Sequence, residues 1–178
     1  MEFDFQILRM TSEFYQAYPS NAYPELLIKD RRSYTCLLID LHYDYYVCIP
    51  FRTEIRHKNA YKFMNSNRSK AHQSGLDYTK MIIVKNPEYI GNTDSVVDKD
   101  EYNETNEHIN TIVSDADKYI QEYVGHQKGL KILDKRDYDR KYRYSSLQYL
   151  KSGIFNFALL LMQVFSISLL KILGVLYK

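Results

Sequence analysis

The chain has 178 residues, 45% of them hydrophobic, which is enough for one domain with a substantial core and excludes an intrinsically disordered protein. The net charge is only +2, so the overall charge alone assigns no partner. Two cysteines, Cys36 and Cys48, lie in apolar runs, and we expect buried thiols there rather than a disulfide. No group of Cys and His residues has the spacing of a zinc site, so we expect no metal and no cofactor.

The first half of the chain has the pattern of short strands joined by turns and loops. Its first ten residues lack the basic and apolar segments of a signal peptide, which favours a cytoplasmic protein. Residues 11–18 begin with a helix cap at Thr11 or Ser12 and predict a short helix. The predicted strands, of which the first two form a hairpin, are 33–41, 45–51 and 78–84. Pro50 favours an edge or a bulge in the second strand, and the polar stretch 59–74 predicts a loop.

The second half is helical. After a loop over 92–100, apolar residues recur from Glu101 onward at steps of three and four, and acidic residues crowd the first turns. The predicted core positions of this helix are Ile109, Ile112, Val113, Ala116, Ile120 and Tyr123. Gly125 is the expected stop, and a shorter basic helix follows over 134–144. Strands followed by helices predict an α+β domain with a small, strongly bent antiparallel sheet.

The carboxyl-terminal segment 153–178 differs from the rest, so we divide the chain into a domain of residues 1–152 and an apolar tail. The uncharged run 153–170 is close in length to the roughly 20 apolar residues that span a bilayer, but Lys171 then interrupts it. Three alternatives stay open for this predicted apolar helix. It packs or self-associates, it contacts or spans a membrane through residues 153–176, or it is a non-native end.

Charge is distributed unevenly along the chain. Residues 1–50 carry a net −3, residues 51–80 carry +5, residues 81–125 carry −7, and residues 126–178 carry +7. Two basic blocks separated by an acidic block indicate one strongly positive face, although an ordinary solvated surface is the alternative.

The stretch 50–58, PFRTEIRHK, places cations, a hydroxyl and an imidazole directly after a predicted strand. Metal-free RNA cleavage needs a proton acceptor for the 2′-hydroxyl, charge stabilisation at phosphorus, and a proton donor for the leaving oxygen. Arg52 suits charge stabilisation, Thr53 can donate to a phosphate oxygen, and His57 can transfer protons. Lys80 is the alternative proton-transfer group, while Asp77 orients a neighbouring base or caps a turn. A surface ion pair for Arg52, a filled strand end at Thr53 and an exposed loop histidine at His57 are the structural alternatives.

The remaining polar residues of the basic segments are candidates for binding the RNA backbone. Such contacts make binding strongly dependent on salt. The candidate RNA-binding residues are Arg56, Lys58, Arg68, Lys70, His72, Ser74, Lys135, Arg136, Arg140, Lys141 and Arg143.

Residues 23–150 resemble the toxins of type III toxin–antitoxin systems, in the TenpN branch of the ToxN/AbiQ-like group. The resemblance is carried by IPFRT with the following IRHK, by SGLDYTK, by DKDEYNETNEHI, and by the basic end RDYDRKYRYSSLQYL. It implies a sheet similar to the SH3-like barrel of the MazF/Kid endoribonucleases. It also implies metal-independent cleavage of cellular RNA, with products that end in a 2′,3′-cyclic phosphate and a 5′-hydroxyl. The expected role is abortive infection and phage defence, or plasmid maintenance. The implied inhibitor is a cognate antitoxin RNA of pseudoknot repeats, which closes with the toxin into a cyclic assembly.

The chain departs from this family at one point of the implied site. Better-known members carry a Thr-Ser-x-Lys run where this chain has Arg52-Thr53-Glu54-Ile55, so Thr53 takes the place of the serine and that lysine has no direct match. Lys80 matches a lysine that precedes the following strand in the family. Two further hypotheses compete with the endoribonuclease: an RNA-binding protein without catalysis, and a membrane-tethered protein that acts through its tail.

Overall fold

The computed structural model describes residues 5–26, 35–40 and 46–152 of the chain. They form an α+β structure in which an antiparallel sheet packs against helices. The strands are β1 (Phe5–Arg9), β2 (Thr35–Asp40), β3 (Tyr46–Arg52), β4 (Ala60–Lys62), β5 (Gly75–Asp77) and β6 (Ile82–Val84). The helices are α1 (Ser12–Ala17), α2 (Asn67–His72), α3 (Lys99–Gln127) and α4 (Lys135–Tyr142), and short 3₁₀ turns cover Tyr78–Lys80, Pro87–Tyr89 and Ser146–Ser152.

Strand β3 belongs to two antiparallel ladders. Four strands pair in the order β1–β2–β3–β6, and Tyr46–Cys48 of β3 contact β6. Beyond Pro50, Phe51 and Arg52 pair instead with β5, which in turn pairs with β4. Pro50 therefore lies where β3 stops pairing with β6 and begins to pair with β5. At this position its missing N–H is tolerated. Pro50 lies within the sheet rather than at its edge. The change of partner places Arg52 beside β5.

Both faces of the sheet are covered. On β3, Val47 and Ile49 pack with the apolar face of α3, while Cys48 between them faces the other side and packs near Phe14 of α1. This alternation is the period of two that a strand imposes on its side chains. Cys48 is a buried thiol, as predicted.

Helix α3 is the longest element and supplies much of the larger core. Asp98 caps its first turn by accepting from the backbone N–H groups of Asp100 and Glu101, and every apolar position predicted for this helix is buried. The predicted stop at Gly125 is wrong, because the helix continues to Gln127 and the chain reverses at Gly129, whose φ is +71°.

The helix predicted at 11–18 is confirmed as α1, with Thr11 as its cap, and the basic helix predicted at 134–144 is confirmed as α4. Two other predictions need correction, and one strand was missed. The predicted loop 59–74 contains β4 and α2, and the predicted strand 78–84 is a 3₁₀ turn followed by β6. Strand β1 was not predicted at all.

Within the described ranges, no helix combines the length and the apolarity that crossing a membrane requires. The prediction of an apolar helix over 153–178 lies outside the described residues, as does the predicted turn of the β2–β3 hairpin.

Candidate active site

Asp77, the last residue of β5, is the centre of the candidate site. Its side chain is fully buried, and one carboxylate oxygen, Oδ1, accepts from the backbone N–H of Thr79 at 2.9 Å and from the Thr79 hydroxyl at 2.7 Å. These contacts cap the 3₁₀ turn that follows β5. They leave Asp77 with a second oxygen and a negative charge that the turn does not neutralise.

Arg52 supplies the opposite charge from the neighbouring strand, and His57 approaches the same carboxylate from the turn after β3. Arg52 is the last residue of β3 and pairs in register with Gly75, two residues before Asp77. Its Nη1 donates to Oδ2 of Asp77, and Nε2 of His57 lies 3.5 Å from Oδ1. The Arg52 and His57 side chains remain 30% and 38% exposed, so a ligand at the surface can reach both.

The environment of Asp77 keeps its carboxylate ionised. Burial by itself favours the protonated form, but hydrogen bonds from His57 and Thr79, together with the charges of His57 and Arg52, hold the pKa of Asp77 below its usual value. A permanent anion at this place orients the side chains of Arg52 and His57. The sequence allowed Asp77 either to orient a base or to cap a turn, and the structure shows that it caps the turn while contacting the imidazole.

His57 has one nitrogen available besides the one that faces Asp77. Within the described part of the chain, its buried Nδ1 has no hydrogen-bond partner. An imidazole that places one nitrogen against a carboxylate and leaves the other unoccupied has the arrangement expected of a group that transfers protons.

The turn after β3 has an uncommon backbone that presents these side chains. Glu54 adopts a φ of +59° and Gln73 a φ of +48°, both in the left-handed region. Glu54 donates its N–H to the carbonyl of His72 at 2.6 Å, and Ile55 donates to the carbonyl of Gln73 at 3.2 Å. Thr53, half-buried, lies between Arg52 and this turn. The chain is therefore held on both sides of Thr53.

Lys80, the alternative proton-transfer group, contacts different partners. Its Nζ donates to the carboxylate of Glu25 and, at 2.7 Å, to the carbonyl oxygen of Tyr144, and its side chain is only 11% exposed. These contacts tie the segment after α1 to the segment after α4. The structure thus brings Arg52 and His57 together on Asp77 and directs Lys80 elsewhere.

Two buried carboxylates of α3 hold the segment 61–74 in place. Glu104 accepts from the backbone N–H groups of Met64 and Asn65 at 2.9 and 3.1 Å. Glu101, fully buried, accepts from the hydroxyls of Ser66 and Ser74. We predicted only that acidic residues at this position suit the helix dipole, and their role as anchors of the loop was not anticipated.

This anchoring changes the interpretation of two predicted RNA-binding residues. Ser74 is buried, and its hydroxyl is used by Glu101, so its side chain does not face a ligand at the surface. Arg68 is 40% exposed, and its Nη1 lies 3.3 Å from Glu101. Arg68 therefore has a structural partner, and only part of its guanidinium is open to RNA.

The other predicted RNA-binding residues are at the surface to different degrees. Arg140 pairs with Asp137, and the partly buried Lys141 pairs with Glu122. His72 lies 3.5 Å from Glu54. The predicted cations whose side chains are clearly exposed are Arg56, Lys58, Lys70, Lys135, Arg136, Arg140 and Arg143.

In the ranges that the structure describes, no group of three or more His, Cys, Asp or Glu side chains is placed to hold a metal ion. No family model matches this chain, and no curated protein and no solved structure matches it. The interpretation of the site therefore rests on its own geometry and chemistry.

Proposed function

We propose that the chain is a metal-independent endoribonuclease whose centre is formed by Arg52, Asp77 and His57. The observation that supports this proposal is the convergence of a guanidinium and an imidazole on one fully buried carboxylate, both of them partly open to solvent. The reaction is attack of the RNA 2′-hydroxyl on the adjacent phosphorus with loss of the 5′-oxygen, which leaves a 2′,3′-cyclic phosphate and a 5′-hydroxyl.

Each residue has a role that its contacts permit. Arg52 uses one of its five N–H donors on Asp77 and has others for the non-bridging phosphate oxygens, whose charge grows in the transition state. His57 accepts the proton of the 2′-hydroxyl through Nδ1 while Asp77 stabilises the imidazolium from the Nε2 side, and solvent supplies the proton that the departing 5′-oxygen takes up. Because Nδ1 is buried, His57 reaches the 2′-hydroxyl through a small shift of the half-exposed ring that keeps Nε2 beside Asp77. Thr53 positions the phosphate. We assign proton transfer to His57 rather than to Lys80, because the ammonium of Lys80 is engaged by Glu25.

The wider proposal is that the protein is the toxin of a type III toxin–antitoxin system. The exposed cations beside the site and on α4 would bind both cellular RNA and a repeat RNA antitoxin, and the sheet would be a variant of the SH3-like barrel of MazF and Kid. A cytoplasmic location belongs to the same proposal. The sequence resemblance supports this assignment, and the antiparallel sheet with flanking helices is compatible with it.

A second candidate is an RNA-binding protein without catalysis. It is favoured by the fact that Arg52 already has an internal partner, so that the three side chains would serve to join β3 to β5. The same exposed cations would then bind RNA and leave it intact.

Product analysis separates the two candidates. The full-length protein is incubated with RNA in EDTA, and the product ends are analysed for the wild type, Arg52→Ala and Thr53→Ala, with Arg136→Ala as the control. Cyclic phosphate ends from the wild type, with a loss of about 100-fold or more for Arg52→Ala at saturating RNA, support the nuclease. Arg136→Ala should weaken RNA binding and leave the saturated rate unchanged. RNA that is bound but uncut would support the binding protein instead.

A further inference from the structure

A cleft of about 560 Å³ adjoins the candidate site. Its lining residues come from the link between β3 and β4, from Tyr78, from α3 and from the region of α4, and those used in the argument are Lys58, Tyr78, Asp115, Lys118, Glu122 and Lys131. The cleft is joined to the site through the backbone. Lys58 follows His57, Tyr78 follows Asp77, and the N–H of Tyr78 donates to the carbonyl of Asn59 at 3.2 Å.

Tyr78 gives this cleft an unused hydrogen-bonding group. Its side chain is 4% exposed, and in the described part of the chain its hydroxyl oxygen is buried without a hydrogen-bond partner. Burial, and next the charge of Asp115, raise the pKa of Tyr78, so the hydroxyl stays neutral and can both donate and accept. Buried polar groups in proteins nearly always have a partner, so a bound ligand is a physical reason for this exception.

The charge of the lining favours an anion. Four lysines and two carboxylates line the cleft. Glu122 is shared by Lys131, at 3.3 Å, and by Lys141, while Asp115 pairs with the exposed Lys118 at 3.1 Å. Positive charge therefore exceeds negative charge. The side chains of Lys118 and Lys131 are mostly exposed, so their ammonium groups can turn from these carboxylates toward a phosphate.

We propose that this cleft binds one nucleotide of the RNA chain, beside the phosphate held at Arg52 and His57. The base would reach the hydroxyl of Tyr78, and the flanking phosphate would contact the lysines of the rim. The volume is in the range of about 300–1,000 Å³ that is usual for small-ligand sites. This inference rests on the proposed nuclease function and adds to it a residue that contacts the base.

Binding of mononucleotides tests the inference without requiring cleavage. The four nucleoside 3′-monophosphates and inorganic phosphate are titrated calorimetrically into full-length wild type, Tyr78→Phe and the control Tyr102→Phe. Tyr102 is an exposed tyrosine of α3 that does not line the cleft. We expect at least one nucleotide to bind more tightly than phosphate. Tyr78→Phe should weaken that binding by about 3- to 10-fold, the effect of one hydrogen bond. Because the replaced hydroxyl has no partner in the described protein, Tyr78→Phe should fold at least as stably as the wild type.

Each outcome of the titrations supports or overturns the nucleotide site. Equal binding of phosphate and nucleotides, no binding at all, or binding indifferent to Tyr78→Phe would overturn the inference. RNA cleavage by the same preparation separates it from the proposed function. If RNA is cut and the nucleotides bind independently of Tyr78, the inference fails and the nuclease stands. If RNA stays intact and nucleotide binding still depends on Tyr78, the nucleotide site is supported and the nuclease assignment fails.

Discussion

His57 lies 3.5 Å from Asp77, an interaction that joins the turn after β3 to the end of β5. Asp77 is completely buried, whereas His57 is partly exposed, so the carboxylate cannot exchange its protein partners for water while the imidazole can meet a ligand. Arg52 completes the cluster from the end of β3. The same contacts that stabilise the junction of two strands therefore also define the candidate site.

Replacing Asp77 by asparagine should destabilise the protein. The amide side chain would lack the charge that holds Arg52 and His57, and hydrogen bonds to charged groups contribute more than neutral ones, so we expect a loss of about 2 kcal/mol at pH 7. Urea denaturation measures this difference. The control is Asp115→Asn at the surface, which should change the unfolding free energy by less than about 0.5 kcal/mol. Equal effects of the two substitutions would contradict a stabilising role of the cluster.

The stability of the protein should fall in acid, partly through Asp77. The pKa of Asp77 is lower in the folded protein than in the unfolded chain, so its stabilising contribution is present above the unfolded pKa of about 4 and is lost as pH falls through the folded pKa. Urea denaturation between pH 7 and pH 3 should show this loss. Asp77→Asn should have a shallower pH dependence than the wild type below pH of about 4. An unchanged slope would show that Asp77 is not held ionised.

Glu104 should stabilise the segment after β4. Its carboxylate accepts from the backbone N–H groups of Met64 and Asn65, which would lose their partner in Glu104→Ala, so we expect a loss of about 2–3 kcal/mol. Glu107→Ala is the matched control, because Glu107 lies on the same helix with 72% of its side chain exposed. It should change stability by less than about 0.5 kcal/mol. Comparable losses from both variants would contradict the anchoring role.

Alanine substitution at two glycines should change the stability of the protein in opposite directions. At Gly75 an added Cβ would lie 2.2 Å from the carbonyl oxygen of Tyr61 on β4, so Gly75→Ala should destabilise the protein by more than about 2 kcal/mol. At Gly125, inside α3, the added Cβ meets only Lys131 at 3.6 Å, and Gly125→Ala should stabilise by about 0.5–1 kcal/mol. Thermal unfolding of both variants, compared with the wild type, measures the two stability changes. Tolerance of alanine at Gly75 would contradict the close β4–β5 pairing. The group that approaches the backbone of Gly75 is β4.

RNA binding should depend on salt through the exposed cations near the site. Arg56 is 85% exposed, and its nearest carboxylate, that of Glu54, is 3.9 Å away, so its guanidinium is available to a phosphate. Arg56→Gln should reduce the slope of log affinity against log salt by about 0.7, the value for one phosphate contact of a single strand. Lys99→Gln, at the start of the acidic helix α3, is the control and should leave the slope unchanged. Equal slopes for all three proteins would exclude Arg56 from the RNA interface.

Local sequence patterns predicted those helices and strands whose conformation is determined by their own residues. The apolar spacing of α3 and the cap at Thr11 are properties of short windows, and both are confirmed. Strand β4 and helix α2 lie in a polar stretch with no clear periodicity. They are held there by β5 and by Glu101 and Glu104, whose contacts with this stretch span 35 and 39 residues of the chain. No local pattern reports such contacts.

The candidate site was predictable to the same limited extent. The sequence indicated the group Arg52, Thr53 and His57, because these polar residues directly follow an apolar predicted strand. The convergence of Arg52 and His57 on Asp77 depends on the switch of β3 from β6 to β5, which the sequence does not display. Lys80, at the start of the predicted third strand, was the alternative proton-transfer group, but it is the last residue of the 3₁₀ turn and its side chain contacts Glu25.

The rate of RNA cleavage by His57→Gln tests the central claim most directly. Full-length wild type, His57→Gln and His72→Gln are compared in EDTA under single-turnover conditions with saturating protein. Glutamine keeps the polarity of histidine and cannot transfer a proton near neutral pH, so we predict a loss of about 100-fold or more for His57→Gln. His72, 61% exposed beside Glu54, has no role in proton transfer, and His72→Gln should cleave at the wild-type rate. A wild-type rate for His57→Gln, or a wild-type protein that binds RNA and leaves it intact, would contradict the assignment of this cluster as a catalytic centre.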